Sequence, residues 1–218
     1  MADNTIQYEC IVTLKGNLEL LFAEDPNVFV AGDLLWYPVE YRPDIRQAPD
    51  VMVIFGRPKG HRGSYKQWEE ENIPPQVVFE IWSPGNRLGQ MLNKIAFYER
   101  YGVEECYIYY PDSGEWEGWH RKDDRLVPIE QMEGWTSPRL GIRFGKGYET
   151  ELGLQLPNGR RMLSFLEIAQ LAEQAQREAE AERQRAEQAQ REAEAERQRA
   201  EQAQREAEAE RQRAEQAQ

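Results

Sequence analysis

Short apolar runs broken by proline and glycine fill the first three quarters of the chain, and a polar repeat fills the rest. Leu18, Leu21 and Phe22 share helical spacing in LKGNLELLFAED, which predicts a short first helix stopping at Asp25-Pro26. NVFVAGDLLWYP reads as a strand. Residues 51–55, VMVIF, predict a second strand with apolar side chains on both faces, bounded by Pro49 and Gly56. QVVFEIWSP predicts a third, in which Glu80 stands among aliphatic and aromatic neighbours before Pro84 ends it. Leu88, Met91, Leu92 and Ile95 form a stripe in GNRLGQMLNKIAFYERYG, predicting an amphipathic helix with Gly102 as a left-handed cap. EECYIYYP predicts a strand and EWEGWHRKDDRLVPIE a hairpin turning at Lys122 to Asp124. Helix, strands, helix, strands is the order of the α/β or α+β class, a mixed β-sheet flanked by helices.

The tail is a literal repeat. AEQAQREAEAERQR occupies 172–185, 186–199 and 200–213, and fourteen residues make two heptads. Ala172, Ala175 and Ala179 take the a, d and a positions, but the next d position is Glu182, repeated at Glu196 and Glu210. So poor a seam predicts a long solvated helix, sustained by helix-forming residues and pairs such as Glu173 with Arg177. Docking a helical partner is the alternative use of that rod. The division predicted is therefore a globular domain over 1–165 and a helical Ala/Glu/Gln/Arg tail over 166–218.

All six Trp, all ten Tyr and all seven Phe precede residue 166, so the first region has the composition to bury a core. Two cysteines make no disulfide framework, and MADNTIQYEC does not open as a secretory leader, which together predict a reduced, cytoplasmic setting. No apolar run reaches the roughly 18 residues a membrane helix requires, so no membrane role is expected. Net charge is −12, and the tail's 13 Glu against 9 Arg account for only −4 of it. An acidic first domain argues against tight, indiscriminate nucleic-acid binding. Its one basic stretch, RPKGHRGSYK, places Arg57, Lys59, Arg62 and Lys66 in a loop free of acids; Glu69, Glu70 and Glu71 follow and offer a purely solvated, balanced alternative.

Candidate chemistry sits at the strands. Asp50, after Pro49, is by itself ordinary turn punctuation. Glu80, thirty residues on, would be costly as an uncompensated carboxylate inside a buried strand. A divalent metal would give the two acids a common purpose, because Mg²⁺ takes oxygen ligands and often one or two carboxylates. Lys94 lies on the flank of the second helix's stripe, placed to reach back over the sheet.

APDVMVIFG, VVFEIWSPGN and KIAFYERYGVEECYIYYPD, with VAGDLLWYP and GRPKGHRGSYKQWEE, resemble the core of the Uma-type putative restriction endonuclease family, within the PD-(D/E)XK nuclease superfamily. The resemblance runs from about Asn27 to about Trp119. It implies a restriction-endonuclease-like mixed sheet and a Mg²⁺-dependent site, with Mn²⁺ able to substitute. Carried over by position, Asp50 and Glu80 are the metal-binding acids and Lys94 is the catalytic lysine. Trp82 departs from the pattern, which places lysine two residues after the second acid, so the lysine must come from the helix. An acid on the first helix is also common in the superfamily; Glu19 is the better-placed candidate and Asp33 the second.

The function this implies is endonucleolytic hydrolysis of DNA, with Arg57, Lys59, Arg62 and Lys66 as phosphate contacts. A catalytically silent nuclease-fold protein, assembling through its head or tail, is the rival. Any homodimer is expected through the head, around the aromatics Trp116 and Trp119.

Overall fold

The computed structural model describes the backbone of residues 4–216 and side chains up to residue 205. In chain order the elements are α1 (Thr5–Leu21), β1 (Val28–Gly32), β2 (Trp36–Tyr37), β3 (Val51–Phe55), β4 (Tyr65–Lys66), β5 (Val77–Ile81), α2 (Leu88–Arg100), β6 (Glu105–Tyr110), β7 (Glu115–Lys122), β8 (Arg125–Pro128), β9 (Arg143–Phe144), β10 (Leu154–Gln155) and α3 (Phe165–Gln216). Two compact units divide between Leu166 and Glu167.

Six strands form one sheet in the order β1-β3-β5-β6-β7-β8, with β2–β4 and β9–β10 as separate pairs. Only β5 and β6 run parallel in the main sheet; α2 makes the crossover between them, as parallel strands require. Alternation along each strand splits the core in two. Val51, Val53, Phe79, Tyr107 and Tyr109 face one cluster with Cys10, Leu14 and Leu18 of α1. Met52, Ile54, Val78 and Cys106 face the other, with Tyr98 of α2 and with Trp36 and Tyr65 of the β2–β4 pair. The parity of a strand thus decides which helix a side chain meets.

α1 is longer than its apolar spacing suggested. It starts two turns earlier, where the Asn4 side chain accepts the Gln7 backbone N–H at 2.8 Å as an N-cap. Its buried face runs Gln7, Cys10, Ile11, Leu14, Asn17, Leu18. Polar Gln7 and Asn17 interrupt that stripe and hide it from a hydrophobic count. Asn17 is satisfied by the carbonyls of Thr13 and Leu163, at 2.8 and 2.7 Å.

The stripe expected on α2 is rotated. Leu88 and Leu92 are 67% and 55% exposed, whereas Met91 and Tyr98 are buried and Lys94 and Ile95 half-buried. Lys94 and Tyr98 belong to the inward face because Glu80 lies beneath them. Gly102 closes the helix with φ +94°, as its cap role predicted. The hairpin also forms where expected: Lys122 pairs with Arg125 around Asp123 and Asp124.

Trp116 and Trp119, around which a homodimer was expected, both pack within the first unit, Trp119 remaining half-buried. Trp116 is a core residue whose ring N–H donates to the Leu152 carbonyl at 2.8 Å, and Trp119 packs against the α2-side cluster. In the second unit, every side chain from Ala169 to Arg205 is exposed. Arg183–Glu187 and Arg197–Glu201 pair at i,i+4 along the rod, as do Arg177 and Glu173. The last seam glutamate, Glu210, has its side chain outside the described residues. No described helix is long and apolar enough to cross a membrane.

Candidate active site

β3 and β5 are antiparallel, with Val51 opposite Phe79 and Met52 opposite Val78. One step further the same register sets Asp50 opposite Glu80. Two carboxylates 30 residues apart therefore meet where β3 begins beside the end of β5. Both are buried, Asp50 at 8% exposure and Glu80 at 1%.

Asp50 Oδ2 accepts the Ile81 backbone N–H at 2.7 Å, which pins the carboxylate across the strand gap. The Gln7 amide of α1 donates toward Asp50 Oδ1 and Oδ2 at 3.4 and 3.3 Å and to the Ile81 carbonyl at 3.2 Å. On the other side, Lys94 Nζ donates to Glu80 Oε2 at 2.7 Å, and the Tyr98 hydroxyl donates to Glu80 Oε1. Lys94 and Tyr98 are one helical turn apart, so one face of α2 delivers both donors to both carboxylate oxygens.

Burial sets the electrostatics. Loss of solvent raises the Asp50 carboxyl above its ordinary range, opposed by the Ile81 N–H and the charge of Lys94. Burial pushes Glu80 up to about 7, with the Lys94 charge opposing and the Asp50 charge adding to the rise. Burial pulls Lys94 down, yet the charge of Glu80 and its hydrogen bond prevail and leave the ammonium above its usual value. Tyr98, fully buried and against Glu80, stays protonated.

Asp50, Glu80 and Lys94 are thus brought together. Trp82 takes the position two residues beyond Glu80; its backbone N–H donates to the Tyr109 carbonyl at 2.7 Å and its ring packs on Tyr110. Lysine comes from the helix. Glu19 lies away from the acids, in an exposed ion pair with Lys15 at 2.6 Å. Asp33 is adjacent: its backbone N–H donates to the Asp50 carbonyl at 3.1 Å, in a left-handed conformation of φ +49°, and its charge helps raise Asp50.

The four basic residues do not form one cluster: Arg57 and Arg62 meet at Glu70, and Lys59 and Lys66 have partners of their own. Arg57 pairs with Glu70 and Glu71 at 2.9 and 2.7 Å, and Arg62 pairs with the same Glu70 while covering the Phe29 ring at 4.0 Å. Lys59 donates to the carbonyls of Phe22 and Ala23 at 2.6 and 2.8 Å, and Lys66 pairs with Glu69 at 3.0 Å. The acids that follow the loop are the partners of three of them. Gln7 and Tyr98 are site residues that apolar patterning did not single out. A Tyr one turn after Lys94 was the available signal for one; Gln7 gave none, being a polar residue on a face judged by its hydrophobics.

The oxygens here are hard donors suited to Mg²⁺ or Mn²⁺, and two carboxylates with water completing the shell is a usual way of holding Mg²⁺. The Gln7 amide nitrogen, a partial positive charge within 3.4 Å of three of these oxygens, marks a position that favours a cation. Among the described residues no third His, Cys, Asp or Glu joins them as a metal-binding group. The donor set fits a carboxylate-poor, water-rich metal.

A mixed sheet presenting two acids at the ends of adjacent strands, with a lysine over them, defines the restriction-endonuclease-like class. The particular family follows from the sequence match: the chain belongs to Uma2, described as "Putative restriction endonuclease", whose family model matches residues 8–146. Among solved structures it is similar to a putative nuclease belonging to DUF820 from Anabaena variabilis. That similarity has 10% identity and a TM-score of 0.49, covering 65% of this chain and 76% of that one. No curated protein matches the chain.

Proposed function

We propose that the first unit is a metal-dependent endonuclease that hydrolyses DNA phosphodiesters at Asp50, Glu80 and Lys94. One observation carries this reading: two buried carboxylates lie opposite one another on adjacent strands, with a lysine ammonium 2.7 Å from one of them. A stability-driven fold has little reason to bury two acids side by side, since each is costly and the Asp50 charge raises Glu80 further. Asp50 and Glu80 would hold Mg²⁺ or Mn²⁺. When bound, the metal would polarise the phosphate and make a water acidic enough to supply the nucleophile.

The chain's own groups do the rest. The Ile81 N–H and Gln7 hold Asp50 in place, and Tyr98 fixes Glu80 from behind. Lys94 balances the acids' charge and, once a cation takes over that task, can turn its ammonium toward the negative charge developing on phosphate. Arg57, Lys59, Arg62 and Lys66 would contact phosphates only by exchanging their present partners.

A second reading has an observation of its own. Lys94 and Tyr98 occupy both oxygens of Glu80, and such a closed, satisfied cluster suits a silent nuclease-fold interaction protein. Calorimetric titration with Mg²⁺ separates the two. The nuclease reading expects saturable binding by the wild type and none by Asp50→Ala, together with metal-dependent cleavage of plasmid DNA. Absence of binding in both proteins would leave the silent scaffold.

A further inference from the structure

Away from the carboxylates, a slot of about 530 Å³ runs along the open edge of the main sheet. Its floor is β1. One wall is the second half of α1, with Lys15, Glu19 and Phe22; the other is the loop carrying Lys59, His61 and Arg62. β1 pairs with β3 on one side only and ends the sheet. Asn27 and Asp33 bond toward the β3 side, through Gly56 N–H to Asn27 carbonyl and Asp33 N–H to Asp50 carbonyl. By the alternation of an antiparallel ladder, the N–H and C=O groups of Val28, Val30 and Gly32 therefore turn to the open edge.

Charge is segregated here. Lys15, Lys59, His61 and Arg62 line it with one acid, Glu19; Lys15 pairs with Glu19 at 2.6 Å and Arg62 with Glu70 behind the wall, while Lys59 meets only the Phe22 and Ala23 carbonyls and, among the described residues, keeps its charge uncompensated by an acid. Phe22 and Phe29 line the same slot, the Phe29 ring lying beneath the Arg62 guanidinium at 4.0 Å, so that ring and cation present one surface. At the far end a Cβ on Gly32 would stand 3.2 Å from the Lys15 side chain and 3.5 Å from the Asp50 carbonyl. Glycine there lets the Lys15 stem lie close over the strand, and the slot ends beside the backbone of a catalytic acid.

We infer that this slot holds a single, unpaired nucleic-acid strand leading to the carboxylates, a reading that rests on the nuclease function proposed above. Cations along a groove, edge N–H donors and ring faces are the combination that binds a single strand without reading its sequence. A slot of this volume accepts a small molecule or a nucleotide or two at a time. A duplex does not enter it. The substrate class is accordingly DNA or RNA with an unpaired segment, and Lys15 and His61 join Lys59 and Arg62 as its contacts, whereas Lys66 does not.

Fluorescence anisotropy of the full chain tests this with a labelled thymidine oligonucleotide of about 12 nucleotides and a hairpin duplex of equal length. Asp50→Ala protein in EDTA keeps cleavage out of the measurement. The single strand is expected to bind at least tenfold more tightly than the duplex. Lys15→Gln with Lys59→Gln should weaken it about tenfold and flatten its slope of log affinity against log salt by about 1.4, or 0.7 for each lost contact on a single strand. Since Lys59 also caps α1, Glu19→Lys provides an independent arm: it adds a cation to the wall and should tighten strand binding, while Lys122→Gln, at the exposed β7–β8 turn, should change nothing.

Equal or tighter duplex binding, or indifference to both slot variants, overturns the inference. So does preference for a labelled Glu-Val-Glu-Val-Glu peptide, which would assign the open edge to an added β-strand. Sedimentation as a dimer that the slot variants dissociate would assign it to a second copy. If the strand arm fails while Mg²⁺-dependent duplex cleavage persists, the slot falls and the nuclease reading stands. Strand binding without cleavage under any divalent metal gives the reverse.

Discussion

Glu80 on β5 and Glu105 on β6 are both glutamates buried in adjacent strands, at 1% and 2% exposure, and burial raises the carboxyl of each. Their partners differ. Glu105 faces the α1 side and accepts from the Tyr107 hydroxyl at 2.9 Å, the Ser137 hydroxyl and the Arg139 backbone N–H at 2.8 Å. Those donors are neutral, and they fasten the turn at residues 137–140 onto the sheet. Glu80 instead faces a second buried carboxylate across the strands and takes a charged donor from a helix. Burial alone therefore does not mark a functional acid. On the function proposed above, the mark is instead a buried acid with a second acid and a lysine beside it.

The largest effect should separate the two glutamates by activity. Asp50→Ala and Glu80→Ala should each reduce Mg²⁺-dependent cleavage at least ~10³-fold, a loss of several kcal/mol of barrier lowering. The melting temperature should hold or rise in Asp50→Ala, which relieves Glu80 of a like charge, and fall in Glu80→Ala, which leaves Lys94 and the Tyr98 hydroxyl without their acceptor. Full cleavage by either variant in a plasmid-nicking assay would erase the distinction between Glu80 and Glu105.

Next in size is Lys94→Ala. Losing one donor to developing phosphate charge should slow single-turnover cleavage about 10²-fold, with Mg²⁺ affinity by calorimetry retained. Loss of metal binding instead would make Lys94 part of the architecture, as Ser137 is for Glu105.

Glu105→Ala should act on stability alone. It strands three donors in a buried place, for about 2–4 kcal/mol of destabilisation, read by urea unfolding. Cleavage per folded molecule should be unchanged; a matching loss of activity in the folded fraction would contradict a purely structural role.

A smaller effect is in pH. Glu80 is raised in the folded state to about 7 from an ordinary value of 4.5. Its contribution to the metal-free fold is fully present below about 4.5 and is lost as pH rises through about 7. The melting temperature should fall by several degrees across that window, and Glu80→Gln should flatten the decline. Asp50 and Glu105, raised in the same direction, keep part of the slope.

Smallest of all, deleting residues 172–218 should leave cleavage unchanged and shift the melting of the first unit by no more than a degree or two. The rod's ion pairs are exposed, such as Arg183 and Glu187 at 82% and 52%, and such pairs add only tenths of a kcal/mol locally. A large loss of activity on deletion would give the tail a part in the function.

The sequence by itself determined what is local. Strand alternation in VMVIF and QVVFEIWSP, the glycine cap at Gly102, the turn at Asp123 and the repeat of the tail are each written within a few residues, and all are present as read. Glu80 stood out because a carboxylate inside an apolar strand contradicts its surroundings, whereas Asp50, by itself ordinary turn punctuation, entered as its partner acid and through family resemblance. Lys94 was reachable through family resemblance and helical spacing.

Only the tertiary structure decided the rest, because these choices depend on what lies across the sheet. Register places Asp50 opposite Glu80. Glu80 in turn makes the inward face of α2 the one with Lys94 and Tyr98, leaving Leu88 and Leu92 in solvent against their hydrophobicity. Gln7 became a site residue only when α1 packed beside the mouth of β3. Glu70, one of three acids the sequence offered as a balance for the basic loop, drew Arg57 and Arg62 together. Hydrophobic periodicity reports which face of an element is buried on average; it carries no information about which polar group waits on the other side, and pairings across long sequence separation are set by that encounter.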